Sequence, residues 1–214
     1  MHVVWFKRDL RIADHAPLRA AAAAGPVLCL YVHEPEAAQQ PEADARHHAF
    51  LGDGLADLRD ALHARGARLC ILQADLPAAF ERVQRTLGPI AGVYAHEETG
   101  GAWTYARDER VRTWLAERGI ALHEWPNNGV VRRLDTRDRW SRHWERRMHS
   151  APLDPPPRLA DAATPALDDG LPGTADLPLA PPTHEAIQRG GERAARSLLD
   201  GFLDERGGDY RRAM

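Results

Sequence analysis

Trp5-Phe6-Lys7-Arg8-Asp9-Leu10-Arg11, followed three residues later by Asp14, closes the first apolar run of the chain. Val3, Val4, Trp5, Phe6 and Leu10 supply the apolar and aromatic positions, and four charges fall within the seven quoted residues. A run that is apolar at successive positions fits a parallel strand buried on both faces, and such a strand normally stops in a short polar loop. Here the charges arrive at once, beside two large aromatics. One reading is a strand end whose Arg and Asp pair with each other and cap the next helix. The other is a signature segment, and the rest of the chain decides between them.

Outward from this strand, strand-like and helix-like stretches alternate for the first 125 residues. Strands are expected at His2–Phe6, Val27–Val32, Arg68–Leu72, Ile90–Tyr94 and Ile120–Glu124. Helices are expected at Ala16–Ala24, Ala45–Arg65, Leu76–Leu87 and Trp103–Arg118. In the second helix Phe50, Leu51, Leu55, Leu58 and Leu62 form one apolar stripe, which assigns Phe50 to the core. Gly66 and Gly119 are stop signals for the second and fourth helices. The alternation predicts an α/β fold: a doubly wound, five-stranded parallel Rossmann-like sheet with helices on both faces. Ligands of such sheets bind beyond the carboxyl ends of the strands. No G-x-G-x-x-G follows the first strand, which disfavours an ordinary dinucleotide-binding domain.

The 214 residues are 43% apolar, enough for a real core, and the net charge of −3 gives no global push toward nucleic acid or an anionic membrane. Lys7 is the only lysine, so the other cationic sites are fork-shaped guanidinium groups. Cys29 and Cys70 fall in apolar strands and are expected to be free, buried thiols. No apolar run reaches transmembrane length and no signal peptide precedes the first strand, so a cytoplasmic setting without membrane contact is expected.

Between Arg132 and Met148, seven arginines stand against three acids, with Trp140, Trp144 and Met148 at helical spacing. Basic residues among aromatics suit nucleic acid, but the preferred reading is a Trp stripe docked on the sheet or on a further domain, with the arginines in water. From Ala151 to Glu185 nine of the sixteen prolines accumulate, which predicts an extended connector packed along a surface. Gly190-Gly191-Glu192 then opens a helix with Leu198, Leu199, Phe202 and Leu203 on one face. That face needs a partner, and the chain stops soon after it, at Met214.

The opening segment is similar to the W-F-R-x-D-L-R signature of the photolyase/cryptochrome family. Arg46, Phe50, Leu51, Leu55, Leu58 and Leu62 resemble the family's second helix, with Gly54 where Ser is common. His96-Glu97-Glu98 followed by Tyr105-Ala106-Arg107-Asp108 resembles its loop after the fourth strand, and Gly190-Gly191-Glu192 its entry into the helical domain. The resemblance divides the chain into an α/β antenna domain (1–130), an Arg/Trp helix with a Pro-rich connector (131–185), and the first helix of a truncated, all-helical FAD-binding domain (186–214).

What the resemblance implies is a DNA photolyase-like flavoprotein: a lyase that uses light and FAD to repair UV-induced pyrimidine dimers in DNA by electron transfer. The damaged DNA would be bound through the missing helical domain, which would dock against this chain. Tyr210 stands where the family's first FAD-phosphate tyrosine is expected. Arg46, Phe50, His96, Glu97 and Glu98 are the positions implied for an antenna cleft holding folate or a deazaflavin. His96 departs from the Asn that folate-binding members often carry, and acids beside it also suit a helix N-terminus. No catalytic residue is expected in 1–214, and no histidine spacing suggests a metal. The fragment alone is expected to be inactive. The alternatives are a cryptochrome blue-light photoreceptor and, outside the family, a stand-alone nucleotide-binding α/β module or a protein-interaction module.

Overall fold

The computed structural model describes residues 1–132, 134–180 and 188–210. Five parallel strands, β1 (His2–Phe6), β2 (Val27–His33), β3 (Leu69–Gln73), β4 (Gly92–His96) and β5 (Ala121–Trp125), form one sheet in the order β3-β2-β1-β4-β5. Helices α1 (Ala16–Ala24) and α2 (Ala45–His63) belong to one side of the strand order, and α3 (Leu76–Leu87) and α4 (Ala102–Glu117) to the other. The doubly wound reading is therefore correct.

Side chains alternate along β1, so Val3 and Trp5 enter one core while Val4 and Phe6 enter the other. On the first face Trp5 meets Phe80 edge-on at 6.1 Å, and Phe80 stacks on Trp114 at 5.8 Å. On the second face Phe6, Leu18, Leu55, Leu58 and Leu62 are buried together. Cys29 and Cys70 are buried and free, as expected.

Strand β4 lies two residues beyond its expected position. Its pairing with β1 starts at Gly92 opposite His2, while Ala91 donates to the Met1 carbonyl before the ladder begins. His96 is consequently the last residue of the strand rather than part of a loop.

Phe50 is a correction to the core assignment: it is 45% exposed. The stripe that faces the sheet is His48, Leu55, Leu58 and Leu62. Phe50 lies on the neighbouring line with Gly54 and Asp57, which meets the segment 190–193. That segment packs so closely on the Phe50 backbone that a Cβ on Gly190 would sit 2.1 Å from the Phe50 carbonyl oxygen. The ring is left in solvent.

Over its described residues, 151–180, the connector packs along the sheet. Val27 donates to the Ala160 carbonyl and Ala162 donates to the Val27 carbonyl, while Leu159 and Leu167 are buried. Asp168 and Asp169 accept from the amides of Ile71 and Gln73, donors that the edge strand β3 would otherwise leave open. Helix α5 (Trp140–Met148) carries Trp140 and Trp144, each 41% exposed, with Trp140 Nε1 donating to the Gly129 carbonyl. Helix α6 (Glu192–Gly201) leaves Leu198 and Leu199 exposed. Among the described residues no helix is long and apolar enough to cross a membrane.

Candidate functional site

In the order β3-β2-β1-β4-β5 the chain winds outward in opposite directions from β1 and β4. Their carboxyl ends flank the crevice where ligands of this architecture bind. A cavity of about 270 Å³ lies there, lined by residues 7–9, 96–99 and 127–128. The signature segment after β1 and the His96-Glu97-Glu98 segment after β4 thus meet across one space.

Beneath the cavity is a buried charge network. Lys7 Nζ donates to Asp108 Oδ2 at 2.7 Å and to the His96 carbonyl at 2.9 Å, and lies 4.0 Å from the Trp5 ring centre. Burial lowers the Lys7 pKa from its usual value, opposed by the Asp108 charge. Arg107 is a hub: it reaches Asp108 at 2.9 Å, Glu98 at 3.0 Å and Glu34 at 3.3 Å. Burial pushes the Glu34 carboxyl up to about 7, because the opposing Arg107 charge is shared with the other two carboxylates.

Glu98 is a structural brace rather than a free ligand. Its Oε1 accepts from the amides of Thr99 and Gly100, at 2.9 and 2.8 Å, and its Oε2 accepts from Arg107. A Cβ on Gly100 would come within 2.9 Å of that Oε1 and of Arg8 Nη2, so a side chain there would have to displace these groups. Glu98 thus braces the turn before α4 rather than capping the helix, whose N-cap, Gly101, makes no side-chain cap bond. Glu97 differs: its amide donates to the Trp125 carbonyl, and its partly exposed carboxylate has no bonded partner among the described residues.

Asp9 is the most buried acid of the site, at 2% exposure. Its Oδ1 accepts the Lys7 amide at 2.8 Å, and its Oδ2 accepts from His96 Nδ1 at 2.5 Å. His15 Nε2 stands 2.9 Å from the same Oδ2. Burial opposes ionisation of Asp9, but the close His15 and His96 rings outweigh it and hold the carboxyl well below its usual range. Burial likewise lowers the His15 pKa, against the Asp9 charge.

The structure separates the expected cleft residues. His96, Glu97 and Glu98 line the switch-point cavity, whereas Arg46 and Phe50 do not. Arg46 is exposed and pairs with Asp44, the N-cap of α2. A second cavity of about 190 Å³ lies beyond the end of β2, lined in part by Glu34, His48, Trp103 and Arg107. Arg107 reaches that cavity while bonding Glu98 of the first, so the ion network forms the wall between them. Tyr210 is 52% exposed and contacts Phe202 edge-on at 5.5 Å.

Sequence reasoning missed the hub. Lys7 and Asp108 are 101 positions apart, and no local pattern links them. The available signal was the only lysine of the chain, placed in an apolar run. The role of His15 as N-cap of α1, through Nδ1 accepting from the Leu18 amide at 3.0 Å, was also unread.

The DNA photolyase family model matches residues 2–148. Deoxyribodipyrimidine photo-lyase of Halobacterium salinarum is 33% identical over 99% of this chain and 47% of its own length. A Synechocystis cryptochrome structure superposes with a TM-score of 0.76 at 20% identity, covering 99% of this chain and 48% of that one. An archaeal photolyase from Sulfolobus tokodaii, described with two FAD molecules and a novel light-harvesting cofactor, superposes at 0.67 with 20% identity, over 93% of this chain and 46% of that one. The chain thus spans about half the length of each of these relatives. With the signature and loop segments facing each other across the strand-order switch and the family model covering more than half the chain, this protein belongs to the DNA photolyase family.

Proposed function

We propose that this chain is the antenna-domain portion of a photolyase-type flavoprotein that repairs UV-induced pyrimidine dimers in DNA in the cytoplasm. The observation that carries the antenna reading is the switch-point cavity itself. It offers a free carboxylate at Glu97 and an exposed guanidinium at Arg8, and has the buried Asp9–His96 pair in its wall. A folate or deazaflavin ring fits this donor set, since Glu97 can accept from ring N–H and amino groups. Support for a second chromophore comes from the Sulfolobus relative, described with a light-harvesting cofactor.

When bound in the complete protein, reduced FAD would supply the light-driven electron-transfer chemistry for dimer repair. The candidate contact assigned to FAD in this chain is Tyr210, exposed at the end of the described residues. FAD and damaged DNA are therefore assigned to a helical domain docked on the exposed face of α6. A dimer would be flipped from the duplex to reach the flavin.

An absorbance spectrum of the protein expressed from its complete reading frame and purified in the dark tests this assignment. A blue flavin band with an added near-UV or blue chromophore is expected. A colourless folded protein would refute it and favour a stand-alone nucleotide-binding module.

A further inference from the structure

One donor atom from each of Asp9, His15 and His96 lies within 4.8 Å of the others, the spacing of a metal triad. The protonation pattern argues against that use. His15 Nδ1 accepts the Leu18 amide proton at the start of α1, so the neutral ring carries its own proton on Nε2. A ring protonated at Nε2 has no lone pair there for an ion, and moving the proton to Nδ1 would abolish the cap. The Nε2–H instead faces Asp9 Oδ2 at 2.9 Å, in a contact too oblique for a well-formed hydrogen bond.

The same logic fixes His96. An ionised carboxylate only accepts, so each polar neighbour of Asp9 must donate. The Lys7 amide on Oδ1 can do nothing else. His96 therefore bears its proton on Nδ1, and in the neutral ring its Nε2 keeps a lone pair. That nitrogen has no hydrogen-bond partner among the described residues, and His96 lines the switch-point cavity.

We propose that Asp9 is a positioning residue: it locks His96 in the tautomer that offers an Nε2 lone pair to the cavity, so the site selects a ligand presenting an N–H or O–H donor there. The ligand class is a planar heterocycle with a donor-rich edge, met by His96 and Glu97 together. The inference rests on the chromophore reading of the cavity. An Asn at position 96 could turn its amide to give or to accept; the Asp9–His96 pair can only accept.

Asp9→Asn separates this from a merely structural role. Asn has one accepting oxygen, and the Lys7 amide holds it. Its NH2 then faces His96, which must accept at Nδ1 and carry the proton on Nε2. In ¹⁵N NMR at about pH 8, where an ordinary imidazole is neutral, His96 of the wild type should show a pyridine-type Nε2 and a pyrrole-type Nδ1. The two signatures should exchange in Asp9→Asn. A pyrrole-type Nε2 in the wild type overturns the proposal, and this readout needs no variant to fold. In titrations with 5,10-methenyltetrahydrofolate, His96→Phe should weaken binding about tenfold, while His96→Asn, which can turn its oxygen to the ligand, should retain it. Equal loss in both variants also overturns the acceptor role. A wild type that binds no folate counts against the folate reading alone, and the tautomer result still decides the role of Asp9.

Discussion

Lys7, Arg107 and Asp9 show how a few charged side chains can be held inside a parallel α/β core. Each is almost fully buried, and each is satisfied by groups from a different strand or helix. Glu34 is the member with the weakest compensation, and its behaviour with pH follows from that. Its folded pKa, about 7, lies above the usual 4.5, so the fold favours the protonated form. The stability it contributes is fully present below about 4.5 and is lost as pH rises through 7. Glu34→Gln should therefore flatten the stability profile between those values, as urea unfolding across the range would show. An unchanged slope would reject the assignment. At this scale the sequence was least informative. Arg8, Asp9 and Arg11 read from the sequence as a structural network at a domain interface rather than ligand contacts, but Arg8 lines the cavity, and the partners of Lys7, Asp9 and Arg107 lie 101, 87 and 73 positions away.

At the scale of elements, pattern carried much further. β1 and α1 start and end as expected because doubly apolar strands and Pro-started helices leave little latitude. β4 slipped by two residues because Ile90 is apolar but lies outside the ladder, and that slip decides where His96 sits. Phe50 failed for another reason: its helix faces two partners, the sheet and the 190–193 segment, and periodicity cannot say which stripe meets which. The Gly190-Gly191-Glu192 motif gains a physical meaning here. The Gly190 amide donates to Asp53, the Arg193 amide donates to Asp57, and Glu192 accepts the Ile12 amide after β1. Gly190→Ala should break this junction, because its Cβ would overlap the Phe50 carbonyl. A loss of roughly 2 kcal/mol is expected, with faster amide exchange across α6 and unchanged exchange in β1. Unchanged protection of α6 would contradict the clamp.

Over the whole molecule, the sheet brings two segments about 90 positions apart to one cavity, and the connector covers the open edge of β3 before reaching α6. The fold was legible because strand alternation fixes the order and direction of the sheet, and the family because its motifs stand in order along the chain. Which of the candidate cleft residues meet in space was not legible: Arg46 is exposed and pairs with Asp44, away from His96, Glu97 and Glu98. The most direct test of the whole account is blue-light repair of a thymine dimer in a synthetic oligonucleotide by the protein from its complete reading frame. The account predicts dimer reversal in light, none in the dark, and none with residues 1–214 alone. Light-independent repair, repair by residues 1–214 alone, or no repair by a flavin-loaded complete protein would contradict it, the last favouring a light receptor.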